Sequence, residues 1–234
     1  MKVAVSLFDE SGNMLRPWAE EGYECHCFDI LDSKENEHFP SGGSITYYQA
    51  DLKHLDIQEF IISLNPSFLS SFGPCTDLAT SGAGYFAKKR AVNPDFQEEA
   101  LNLWMLGPII GNACQCPWMA ENPRSVISTM WRKPDYKFNP CDYGGYLPED
   151  DVHPRWPEYL DPRDAYTKET WIWSGNGFIM PPKDPVEPII YVSAGSKSSK
   201  SYGKLGGKSA RTKQIRSETP RGFALAVFMA NGEI

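Results

Sequence analysis

The chain has 234 residues, 41% of them hydrophobic and 23% charged, with a formal net charge of −7. That length suffices for one α/β domain with a sizeable core, and the acidic balance argues against coating nucleic acid with the whole surface while leaving a local basic patch open. No run approaches the ~20 apolar residues that span a bilayer, and Met1 to Ser6 turns acidic too soon for a signal peptide; the expectation is a cytoplasmic protein, not membrane-bound, with six reduced cysteines.

Lys2 to Phe8 is short, apolar and β-branched, the pattern of a buried first strand. A turn through Gly12 leads to a helix over 14–22 closed by Gly22, and then to an alternating strand from Tyr23 to Ile30. The unit is βαβ, with Asp29 ending its second strand 17 residues beyond Gly12. In such units a ligand sits beyond the strand ends, where a carboxylate can bind ribose hydroxyls; a solvated acid at a strand end explains Asp29 equally well. Cys25 and Cys27 fall in the strand alternation, and one-residue spacing suits two ligands of one tetrahedral zinc poorly, so no metal is expected there or at Cys114 and Cys116.

Residues 33–44 read as a loop, Ile45 to Ala50 as a third strand ending at Asp51, and Leu55 to Leu64 as a helix. A fourth strand then delivers Gly73-Pro74-Cys75. The proline fixes φ and presents the next side chain, which makes Cys75 either a nucleophile at a strand end or a small apolar filler. Residues 76–93 are rich in Gly, Ala and Ser and carry Lys88, Lys89 and Arg90, the make-up of a mobile cation-tipped loop that can close on a phosphate backbone. Phe96 to Gly111 has helical spacing, and a fifth strand over 117–120 ends in Glu121-Asn122-Pro123.

Beyond residue 131 the chain is Pro/Tyr/Trp-rich with weak periodicity, apart from a strand at Thr170 to Trp173. Residues 193–216 contain no acid and seven cations, Lys197, Lys200, Lys204, Lys208, Arg211, Lys213 and Arg216, which favours a backbone-binding arm over a plain linker. A short amphipathic helix over 219–228 is expected to dock on the first strands. The chain therefore reads as an α/β protein: a Rossmann-like sheet with helices on both faces (1–130), an irregular Pro/Trp-rich continuation (131–192), a basic arm (193–216) and a docking helix (217–234).

Taken in order, these pieces resemble the cytosine-C5 DNA methyltransferases, in particular the compact versions carried by phages. The family's Phe-x-Gly-x-Gly motif stands here as Phe8-Asp9-Glu10-Ser11-Gly12, with Glu10 in place of the first glycine. Its two strand-end acids match Asp29 and Asp51, its Pro-Cys matches Pro74-Cys75, and its Glu-Asn-Val matches Glu121-Asn122-Pro123. Lys168-Glu169-Thr170-Trp171-Ile172-Trp173 resembles a later Lys-x-Thr-x-Leu-Trp stretch, whereas Gln-x-Arg-x-Arg has no clear counterpart beyond Arg132, Arg163 or Gln214-Ile215-Arg216.

The resemblance implies an S-adenosyl-L-methionine (AdoMet) dependent methyltransferase sheet, with the cofactor against Phe8, Gly12, Asn13, Met14, Asp29, Asp51 and Pro74. It implies a monomer acting on a cytosine flipped from duplex DNA, in the cytoplasm of a phage-infected bacterial host for a phage-borne enzyme. Cys75 is the implied nucleophile at C6, Glu121 the group on N3 and the exocyclic amine, and Asn122 the support of the loop. A methyltransferase for RNA or a free nucleotide, and a catalytically weak module that binds DNA or a protein, are the rival readings.

Overall fold

The computed structural model describes residues 2–31, 34–193, 196–198, 200, 204–205 and 209–232. Five strands run parallel: β1 (Val3–Leu7), β2 (Glu24–Asp29), β4 (Ser44–Gln49), β5 (Phe68–Ser71) and β6 (Trp118–Pro123). β3 (Glu37–His38), inside the expected 33–44 loop, pairs antiparallel with β4 at one edge. At the other edge β8 (Thr170–Gly175) runs antiparallel between β6 and β7 (Tyr136–Phe138). The order β3-β4-β2-β1-β5-β6-β8-β7 makes an eight-stranded mixed sheet. From β1 the chain winds outward through β2 and β4, then returns to the other side of β1 with β5, so the winding reverses between β1 and β5.

Alternation along these strands feeds two cores, as expected for a sheet buried on both faces. Ala4, Phe68 and Met119 face the core filled by α1 (Arg16–Glu20) and the C-terminal helix α8 (Arg221–Asn231), where Trp18 stacks on Phe68 at 4.6 Å and meets Phe228 edge-on at 5.1 Å. Val5, Leu69, Trp118 and Ala120 face the other core, filled by α2 (Leu55–Ser63), α4 (Phe96–Trp104) and α5 (Leu106–Cys114). The thiols of Cys25 and Cys27 lie in the first core, where burial holds them above their usual range.

Three expectations change. The stretch 96–111 forms two helices, because the chain turns at Met105. The expected mobile loop over 76–93 is a 3-10 turn (Thr80–Tyr85) followed by α3 (Phe86–Val92), since Phe86 packs edge-on against Phe96 and Lys89 pairs with Asp77. The basic segment holds a hairpin, β9 (Tyr191–Ser193) with β10 (Ser196–Ser198), and the helix α7 (Ala210–Ser217). Thr212 and Ile215, three apart among the cations, are buried and seat α7 on the body. Among the described residues no helix is long and apolar enough to cross a membrane.

Candidate active site

In a doubly wound sheet ligands collect beyond the carboxyl ends of the strands, at the point where the winding reverses. That edge carries Phe8 to Gly12 after β1, Asp29 at the end of β2, Asp51 after β4, Gly73-Pro74-Cys75 after β5 and Glu121-Asn122 on β6. The turn after β1 is built around Asp9, a buried carboxylate. One of its oxygens accepts from Ser11 N (2.9 Å), Ser11 Oγ (2.7 Å) and Gly12 N (2.8 Å), and the other from Ser6 Oγ (2.8 Å). Phe8, at φ 55°, takes the left-handed conformation that a bulky residue rarely adopts. Gly12 has φ 71°, and a Cβ there would lie 2.2 Å from Tyr47 Oη, so the close pass over the tyrosine needs glycine.

The Pro-Cys loop is anchored by its neighbours. A Cβ on Gly73 would meet the Trp104 ring at 2.5 Å, and the Trp104 indole N–H donates to the Glu121 carbonyl (3.0 Å), so one tryptophan gauges the ends of both β5 and β6. Asn122, fully buried, donates from Nδ2 to the Gly73 carbonyl (3.4 Å). Leu78 N and Ala79 N both donate to the Cys75 carbonyl (3.0 and 2.8 Å), closing a tight turn that is tied to the exit of β6 by Val126 N to Leu78 O (2.9 Å) and Thr80 N to Arg124 O (2.9 Å). Pro74 and Cys75 are exposed at its tip.

Among the described residues, Ser71 Oγ, Glu121 Oε1, Asn122 Oδ1 and Ser125 Oγ are buried without a hydrogen-bond partner, all on or next to the ends of β5 and β6. Buried polar atoms normally find partners, so such a concentration marks a site for chemistry more than a packed core. Burial pushes the Glu121 carboxyl up from the usual range, and the Lys168 ammonium opposes that. Cys75 is exposed as a residue at the turn, yet the protein around its Sγ desolvates the thiol and holds it high, with Glu121 adding second and Lys168 opposing. Protonating Glu121 therefore removes the smaller of these two upward influences.

Two clefts open on this edge. One is lined by Asp9, Glu10, Cys27, Asp29, Leu31, Lys34, Tyr47 and Tyr48; the other by Phe72, Glu121, Phe138, Lys168, Thr170, Ser217 to Pro220 and Phe223. Of the cofactor candidates Asp29 lines the first cleft, its carboxyl raised by burial and by Asp9 and Glu10, with Oδ1 accepting from Leu31 N (2.9 Å). Asp51 instead folds back onto Lys53 N (3.0 Å). Asn13 donates to Glu218 (2.5 Å), and Met14 lies wholly in the core, so its side chain offers a ligand no surface. Glu10, standing where the resemblance has glycine, accepts from Gln214 of α7 (2.9 Å).

The nucleic-acid candidates divide. Lys88 is exposed on α3, as is Arg90, which also bonds Gln97 (2.8 Å). In the basic segment Lys200, Lys204 and Arg216 turn onto the carbonyls of Pro157, Glu158 and Leu205, and Arg211 lies over the Trp156 ring. Much of the basic segment is thus held on the body, although Lys213 stays exposed on α7. Lys197 lies on β10, and Lys208 falls outside the described residues.

Lys168, Phe72 and Glu218 line the site without having been singled out for it. Lys168 was visible as the first residue of the Lys-x-Thr stretch. Nothing local marks the other two, because long-range contacts bring them in. No known family model matches the chain, and no curated protein is significantly similar to it.

Proposed function

We propose that the protein is an AdoMet-dependent methyltransferase acting on C5 of cytosine in DNA, with Cys75 as its nucleophile. The observation that carries this reading is the Asn122 Nδ2 to Gly73 O bond: it ties the exposed Pro-Cys turn to the strand bearing Glu121, whose charge is felt at the Cys75 thiol. A Rossmann-like reading of the sheet is supported by the reversal of winding between β1 and β5.

Cytosine C5 is too weak a nucleophile for alkylation until C6 carries a substituent. Cys75 gives its proton to water and its sulfur bonds C6, and the C5=C6 electrons move toward N3 as Glu121 donates a proton there. The Glu121 carboxyl, raised by burial, is suited to hold that proton. AdoMet, when bound, supplies the methyl group that C5 takes up. Water then removes the C5 proton, the electrons of that bond re-form C5=C6 and expel the Cys75 thiolate, and N3 returns its proton to the Glu121 carboxylate. The cleft beside β1 and β2 offers a ribose-bearing cation the Asp29 carboxyl and an apolar wall from Leu31 and Tyr48, with the Lys34 ammonium also in its lining. Since a duplex hides C5 and C6, the base must swing out; exposed Lys88, Arg90 and Lys213 are placed to offset that cost at phosphates.

Labelled methyl transfer from AdoMet to mixed-sequence duplex DNA tests the reading. Label should appear as 5-methylcytosine and fall by about 10³-fold or more in Cys75→Ala. Absence of label with retained AdoMet affinity would redirect the activity to RNA or a nucleotide. Absence of both would select the binding module, which Glu10 in the glycine motif favours.

A further inference from the structure

Sequence register puts one more group at the Cys75 site. Thr170 of β8 lies opposite Pro123 of β6, so Lys168, two residues earlier, sits beyond the carboxyl end of β6. It is half-buried, and it shares a cleft with Glu121, Thr170 and the 217–220 segment. Its ammonium donates to the Arg216 carbonyl (3.0 Å) in the last turn of α7, where carbonyls lack helical partners and attract cations. One of three ammonium donors is thereby engaged, and α7 fixes where the charge stands.

We propose that Lys168 is a positioning residue of the Cys75 site, a fixed cation that compensates the Glu121 carboxylate and the Cys75 thiolate as they form. Glu121 on β6 and Glu218 beyond α7 line the same cleft, and Glu169 follows Lys168 in the chain. Lys168 is the cation that opposes the upward shifts of both the thiol and the Glu121 carboxyl. A buried carboxyl oxygen with no hydrogen-bond partner among the described residues, in one cleft with a lysine held by a helix end, is the arrangement such a role requires.

The inference rests on the methyltransferase reading for its purpose, but its readout needs neither AdoMet nor DNA. The rate of Cys75 alkylation by iodoacetamide, followed across pH by mass spectrometry of the Cys75 peptide, reports the thiolate fraction. Lys168→Met should slow alkylation at pH 8 by about threefold and move the profile to higher pH, whereas Lys168→Arg should keep the wild-type profile. Glu121→Gln should speed alkylation, the opposite sign. Overlapping profiles for Lys168→Met and wild type would overturn the role, as would equal slowing in the Arg and Met variants, which would indicate shape in place of charge. Failure of methyl transfer with these shifts intact would sink the function and leave the positioning role standing.

Discussion

The two halves of the molecule are ordered by different forces. From β1 to β6 the chain is held by parallel strands between two apolar cores, and its polar groups gather at one edge. From residue 131 to α8 regular structure is sparse, and buried polar side chains hold the backbone. Arg221 makes a bidentate pair with Asp151 (2.9 and 2.7 Å). Asp164, its carboxyl raised by burial to about 6, accepts from Gly222 N (2.8 Å). His153 Nδ1 accepts from Arg155 N and Trp156 N, while Glu218 accepts from Asn13 and Trp156. A core of Leu and Trp loses stability by degrees when trimmed, whereas a region pinned by buried charges fails when one partner goes.

Arg221→Met should break that contrast most strongly. It strands the Asp151 carboxylate, only 7% exposed, and should cost about 3–5 kcal/mol in denaturant unfolding. A loss under 1 kcal/mol would show that packing rather than charge holds the second half.

Acid titration sharpens the same point. Burial, with Arg221 next, lowers His153 from 6.5 to about 4. Below pH 6.5 the unfolded chain therefore binds the proton that the folded one refuses. The contribution is intact above pH 6.5 and is lost as pH falls toward 4, by at most about 3 kcal/mol. Asp164 runs the other way, its raised carboxyl making the fold gain stability as pH drops from about 6 to 4. His153→Gln should flatten the acid limb of a melting-temperature profile; an unchanged limb would remove His153 as its cause.

The smallest effect belongs to the first half. Asn122→Ala removes a single long bond to Gly73 and should cost about 1 kcal/mol of stability. If Asn122 instead shapes the Pro-Cys turn, as proposed, protection of the Leu78 and Ala79 amides from hydrogen exchange should fall well beyond the global change.

Legibility in the sequence follows the same divide. Short apolar runs, with an acid after the second and third strands, revealed β1, β2 and β4 to within a residue or two, and the Pro-Cys turn marked the end of β5. Strands buried on both faces stand out as such runs between turn signals. The clustering of cations over 193–216 pointed to a backbone-binding arm and said nothing of its seat, where Thr212 and Ile215 are buried on α7 and carbonyls of the irregular half take up Lys200 and Lys204. Composition reports charge and not what the charge finds. Met14 likewise stood beside the glycine turn in sequence while its side chain went to the core.

The seat of Trp18, stacked on Phe68 and edge-on to Phe228, bears on how the protein is made. β1 is synthesised first and stands at the centre of the sheet, but the core beneath it closes only with α8. During translation the nascent first half therefore waits with an apolar face uncovered, the condition under which chains recruit chaperones or aggregate.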